Sequence, residues 1–144
     1  MSGRVEVIAF PGTSGSFSGA AAQEAFPNGQ CAGFPTFPEA AKAVIEGLAD
    51  YALLPVENSF AGAVLPTYSL LEKLPLHIVG ETMKAVRHNL LGVPGATLAG
   101  IRRIASHPQA IAQCDVFLQG MKGVLITPSE NTAISARDVA AQGD

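Results

Sequence analysis

Tyr51-Ala52-Leu53-Leu54-Pro55-Val56-Glu57-Asn58-Ser59 is a short apolar run that stops at a proline and then presents three polar side chains. Tyr51 to Leu54 reads as a buried strand, closed by Pro55, which has no N–H to give to a ladder. Upstream, the same alternation occurs twice. Val5 to Phe10 is a largely apolar run ending at Pro11-Gly12, and it reads as a first strand. Ser16 or Ser18 can cap a helix through Ala20, Ala21, Ala22 and Ala25, which must stop at Pro27-Asn28-Gly29. Cys31 to Phe34 reads as a second, short strand. Pro38 suits the first turn of a helix, where its missing N–H costs nothing. Ala40, Ala41, Val44, Ile45 and Leu48 fall on one face at helical spacing, with Gly47 near the end. Strand, helix, strand, helix, strand implies parallel pairing with right-handed crossovers. In such sheets ligands bind outside the carboxyl ends of strands, near a topological switch point. The loops expected there are Pro11–Ser16 and Pro55–Gly62.

Downstream, Val64 to Leu74 reads as a helix, Leu76 to Met83 as extended, and Ala85 to Val93 as a crossing segment. Ile101 to Ser106 reads as a strand. Pro108 opens a helix with Ala110, Ile111, Cys114 and Leu118 on one face. Gly123 to Ile126 is a further strand, and Ser129 is expected to cap a last helix from about Glu130 to Ala141. The pattern predicts two α/β lobes, residues 1–84 and 85–144, with no sequence repeat relating them.

Composition narrows the function. The 144 residues are 48% hydrophobic and 15% charged, enough apolar content for a packed core and unlike a disordered chain. Net charge is −3, and only Arg102-Arg103 places two basic residues together, so no nucleic-acid partner is expected. No long apolar stretch follows the first basic residue, which predicts neither a signal peptide nor a membrane span and a cytoplasmic protein. Cys31 and Cys114 match no CxxC or zinc spacing and read as two reduced, buried thiols.

Chemistry-bearing residues gather at the strand ends. Gly12-Thr13-Ser14-Gly15-Ser16 precedes a helix, so its backbone N–H groups and hydroxyls suit a carboxylate. It lacks the lysine of a phosphate-binding P-loop and the GxGxxG spacing of a dinucleotide site. A well-capped βα turn accounts for the same residues. Glu57 can accept or relay a proton, Asn58 offers a donor and an acceptor, and Ser59 a hydroxyl; a polar helix-capping turn is the alternative. Ser106-His107-Pro108-Gln109 repeats that logic, with His107 either a titrating group or a structural hydrogen-bonder. Ser129, Asn131 and Thr132 form the last cluster, or an ordinary helix cap. His77 and His88 are flanked by apolar residues and read as structural. No second His or Cys lies at ligand spacing, so no metal site is expected. No nucleophile–base pair emerges either, which favours binding, electrostatics and proton supply over covalent catalysis.

Together these segments resemble prephenate dehydratase. Phe10 to Ser18 looks like its opening glycine loop, with Thr13 and Ser16 where proline and threonine are common. Ala49 to Ser59, with Gly62 and Val64, resembles its most characteristic motif. Gly80-Glu81, His88 to Leu91, Ser106 to Cys114 and Asn131-Thr132-Ala133 follow in the family's order. The resemblance implies lobes like those of the type II periplasmic-binding-protein-like fold, with substrate in the cleft between them. It implies a cofactor-free lyase that removes carbon dioxide and water from prephenate to make phenylpyruvate. The implied catalytic residues are Glu57 and Ser59; the implied substrate-binding residues are Gly12, Thr13, Ser14, Gly15, Ser16, Asn58, Gly62, His107, Gln109 and Thr132. The family's Thr-Arg-Phe motif and its phenylalanine-sensing ACT-type domain have no match within the 144 residues. The expectation is therefore a chain truncated before the return crossing, with exposed sheet edge and apolar surface that favour self-association into a homo-oligomer. The alternative is a non-catalytic module that binds an aromatic or dicarboxylate metabolite.

Overall fold

The first strand expected from sequence forms as β1 (Val7–Pro11) and takes the centre of a parallel sheet. β2 (Gln30–Phe34) pairs on one side of it and β3 (Tyr51–Ala52) on the other, giving the order β2-β1-β3. The computed structural model describes residues 4–143, so the outermost bounds expected for the lobes, residues 1 and 144, lie outside the described residues. The fold is mixed α/β. Contacts divide it into one unit running to Ala85 and another starting at Val86.

In the first unit, α1 (Phe17–Ala25) joins β1 to β2, and α2 (Phe37–Ile45) joins β2 to β3. Alternate strand residues serve opposite faces. Ile8 and Phe10 pack with Ala22 of α1, Cys31, Tyr51 and Leu53. Ala9 packs with Ala40 and Ala43 of α2, Ala49, Val44 and Ala52. The sheet is covered on both faces, and alanines at the contacts let the helices approach closely. Thr36 caps α2 through Glu39 N–H at 3.3 Å, with proline in its first turn as expected. The apolar stripe differs from the expected one. Ala43 is buried, whereas Ile45 and Leu48 are 45% and 62% exposed. The helix ends at Ile45, and Gly47 at φ 70° turns the chain, so Leu48 never joins the helical face.

β3 is shorter than expected, because regular pairing stops at Ala52; Leu53 N–H still donates to Ala9 O at 2.8 Å. The stretch expected as a loop after Pro55 is a small antiparallel hairpin, β4 (Glu57–Asn58) with β5 (Gly62–Ala63). α3 (Leu65–Lys73) follows. Residues 76–83, expected to be extended, and 85–93, expected to cross, form no strand or helix, and Ile78, Val79 and Met83 are exposed.

The second unit holds β6 (Arg103–Ser106) and β7 (Leu125–Pro128), parallel and, among the described residues, paired only with each other. The single helix expected after Pro108 is two, α4 (Pro108–Gln113) and α5 (Asp115–Gln119). Cys114 leaves the helical region at φ −102°, ψ 9° and breaks the run without glycine or proline. α6 (Thr132–Gln142) is capped by Asn131, not Ser129: Asn131 Oδ1 accepts from Ile134 N–H at 2.8 Å. Ser129 lies two residues too early to reach those amides; its hydroxyl meets Ser135 Oγ and Asn131 O instead. Cys31 and Cys114 are both free, and half-buried rather than buried.

Candidate functional site

β1 is the strand at which the sheet order reverses, since the chain moves from it to β2 and then back past it to β3. The crevice beyond such a strand is where open α/β sheets bind ligands. The loop leaving β1 is pinned at both ends. Gly12 N–H donates to Phe34 O at 2.7 Å, and Ser16 N–H to Thr13 O at 3.1 Å. Gly12 adopts φ 110°, which favours glycine. Gly33 is needed across the pinning contact, because a Cβ there would lie 2.5 Å from Gly12 O. Ser16 Oγ caps α1 by accepting from Gly19 N–H at 3.1 Å, so its oxygen is partly committed. Thr13, Ser14 and Gly15 are exposed, and their N–H groups meet no acceptor among the described residues. These amides stand at the positive end of α1, an arrangement suited to an anion. Beside the loop is a cavity of about 160 Å³ whose lining includes Phe10, Ser14, Gly15, Gln23 and Cys31.

At the end of neighbouring β3, the hairpin sets the second polar group. Asn58 Oδ1 accepts from Phe60 N–H at 2.8 Å and Ala61 N–H at 3.2 Å, so the acceptor half of this side chain builds the turn. Its amide nitrogen remains for a ligand. Gly62 pairs with Asn58 at φ 77° and permits the tight reversal. Glu57 and Ser59 are exposed. Thr67 of α3 is fully buried and donates from Oγ1 to Pro55 O at 2.6 Å. Nothing in the sequence pattern singles out this residue, because its partner is twelve positions away and a helical threonine ordinarily reads as surface.

In the second unit the parallel pairing brings two clusters together. Ser106 stands opposite Pro128, and Ser129 N–H donates to Ser106 O at 2.8 Å, so the His107 and Asn131 segments share the carboxyl edge of β6 and β7. His107 caps α4, with Nδ1 accepting from Gln109 N–H at 3.2 Å. Its structural use is therefore visible, and Nε2 is the ring atom left for other partners. The Gln109 side chain is exposed and Thr132 is half-buried at the start of α6. His88, half-buried, meets Gln113 Oε1 through Nε2 at 3.0 Å, whereas His77 is exposed. Among the described residues no group of three or more His, Cys, Asp or Glu could hold a metal ion. No described helix is long and apolar enough to cross a membrane.

Comparison with known proteins gives a consistent picture. The family model for prephenate dehydratase matches residues 8–144. A curated relative, arogenate dehydratase/prephenate dehydratase 2 of Arabidopsis thaliana, chloroplastic, is 41% identical over 92% of this chain and 35% of its own length. A solved structure titled as GqqA, a novel type of quorum quenching acylases, is 39% identical with TM-score 0.83, over 95% of this chain and 50% of that one. The crystal structure of a prephenate dehydratase from Arthrobacter aurescens with L-Phe has TM-score 0.71 at 26% identity, over 92% of this chain and 45% of that one. The chain thus spans about a third of the curated relative and about half of these solved chains. The shared architecture is the periplasmic-binding-protein-like α/β fold.

Proposed function

The chain belongs to the prephenate dehydratase family, and from that premise we propose that it binds prephenate and takes part in its conversion to phenylpyruvate, in the biosynthesis of phenylalanine. The observation that carries this reading is the unpartnered amides of the loop that leaves β1, with an exposed carboxylate and hydroxyl and a half-buried amide in the hairpin that follows neighbouring β3. Prephenate carries two carboxylates and a ring hydroxyl. In the reaction the ring carboxylate leaves as carbon dioxide, and its bonding electrons enter the ring. The hydroxyl, after accepting one proton, leaves as water, and the ring becomes aromatic. The amides of Thr13, Ser14 and Gly15 suit a carboxylate, with Gly12 and Ser16 holding the loop in shape. Asn58 Nδ2 and the Ser59 hydroxyl donate further hydrogen bonds, Gly62 shapes the hairpin, and Glu57 relays the proton. His107, Gln109 and Thr132, on the rim of the second unit, are assigned to carboxylate recognition as well. No cofactor enters. Arogenate, which carries an ammonium group in place of the keto oxygen, fits the same chemistry and gives the relative its name. A cytoplasmic setting is part of the same proposal.

The test is incubation of the pure chain with prephenate at neutral pH, following phenylpyruvate by ultraviolet absorbance. A rate above the uncatalysed one is expected. Binding by calorimetry without turnover supports instead a non-catalytic module for the same metabolite, and no binding at millimolar concentration overturns both. The similarity to a quorum quenching acylase favours a second activity, amide hydrolysis, which release of free amine from an N-acylated substrate would reveal.

A further inference from the structure

We propose that Thr67 is a positioning residue that sets the Pro55–Ser59 segment for ligand; this rests on the reading above, in which that segment contacts substrate. Thr67 is the one buried residue of α3, at 0% exposure, while Leu65, Pro66, Tyr68 and Ser69 around it are exposed. A buried hydroxyl costs stability unless it is hydrogen-bonded, so a valine would suit this place better if packing were the whole requirement. The hydroxyl is bonded, and the direction of the bond is informative. A helical threonine commonly returns its hydroxyl to the carbonyl one turn earlier. Thr67 Oγ1 instead leaves the helix and donates to Pro55 O at 2.6 Å, and the β-branched side chain has few rotamers with which to do so.

A second bond acts beside it. Val64 N–H donates to Val56 O at 2.9 Å, and Thr67 N–H to Val64 O at 2.9 Å. The first turn of α3 therefore grips two successive carbonyls, those of Pro55 and Val56, immediately before the polar residues begin. From there the path is short. Glu57 pairs with Ala63 and Asn58 with Gly62, and Asn58 Oδ1 closes the turn over Phe60 and Ala61. Regular pairing to the main sheet has already ended at Ala52. The two-residue strands of the hairpin are too short to orient themselves, so the orientation of Glu57, Asn58 and Ser59 depends on the grip from α3.

The experiment compares the full chain with Thr67→Val, which keeps the shape and loses the donor, and Thr67→Ser, which keeps the donor. Amide hydrogen exchange reads the hairpin directly, and calorimetry with prephenate reads the ligand. Thr67→Val should speed exchange at Phe60, Ala61 and Val64 and weaken prephenate binding, each about tenfold, the equivalent of one modest hydrogen bond. Exchange at Ile8 to Phe10 should stay unchanged, and Thr67→Ser should restore both readouts. A folded Thr67→Val with wild-type exchange in the hairpin and wild-type affinity overturns the proposal, whatever its melting temperature. If the wild type binds no prephenate, the substrate reading fails by itself, and the exchange contrast still decides the role of Thr67. If Thr67→Val does not fold, the wild-type hydroxyl proton decides: slow exchange with water supports the bond to Pro55, and fast exchange overturns it.

Discussion

In the first unit β1 runs between two partners with a helix on each face, and Ile8, Ala9, Ala22, Ala40 and Ala41 are all fully buried or nearly so. In the second unit β6 and β7 have only each other, and among the described residues the buried hydrophobics are Ala110 and Leu118. Both units nevertheless carry the same device: a parallel strand, a polar loop, and a helix capped by a side chain. The contrast teaches that the device does not need a large core locally, because caps and turn bonds shape it. What the core adds is rigidity. The glycine loop rests on a sheet that cannot shift without opening packed alanines, whereas the His107 and Asn131 loops rest on a sheet whose Leu125 is 64% exposed. Regions with few buried contacts open most readily.

Several substitutions can break or sharpen this contrast. The largest effect is expected for Ile8→Ala, which should destabilise the first unit by about 3–5 kcal/mol in urea unfolding, since a fully enclosed side chain leaves a cavity. Leu118→Ala should cost about 2 kcal/mol, at the low end for such a change, because few buried side chains surround it and the thinly packed unit can relax into the space. Equal costs at the two positions would erase the distinction between the units. Asn58→Ala should weaken prephenate binding by about 1–3 kcal/mol and also lower the melting temperature, because the same side chain builds the hairpin turn. Ser59→Ala should weaken binding within the same ~1–3 kcal/mol range with the melting temperature unchanged, since this exposed hydroxyl has no role in the turn. His107→Ala removes the cap of α4 and should cost about 1 kcal/mol, read by chemical denaturation. The smallest effect on stability, within about 0.5 kcal/mol, is expected for Leu125→Lys. That change should nonetheless reduce concentration-dependent association in sedimentation, if the open sheet is sticky.

The alternation that organises the first unit was legible because its punctuation is local. Pro11-Gly12, Pro38 and Pro55 mark element ends by sterics and missing donors, and each acts within a few residues. Features made by contact across the chain were not legible. Thr67 becomes special only when Pro55 O arrives beside it. The β4–β5 hairpin depends on a turn whose two-residue strands leave no periodicity to read. The cap of α6 passed to Asn131 because Ser129 and Asn131 carry equivalent polar signals, and only the backbone path decides which one reaches Ile134 N–H. At the candidate site, the residue types at the strand ends were readable. Their commitments were not, such as Asn58 Oδ1 to the turn, Ser16 Oγ to α1 and His107 Nδ1 to α4.

The central place of β1 also sets a schedule for biogenesis. Its outer partner β3 lies more than forty residues later, and Asp50 closes that distance twice, by N–H to Val7 O and by Oδ2 to Val7 N–H, each at 2.8 Å. A nascent chain emerging from the ribosome exposes β1 first and must hold it unpaired on this edge until Asp50 and Ala52 appear. The pairing with β2 can form earlier, across a shorter loop. The loop that leaves β1, anchored to Phe34 on the β2 side, can therefore take shape during synthesis before the Glu57–Ser59 segment exists.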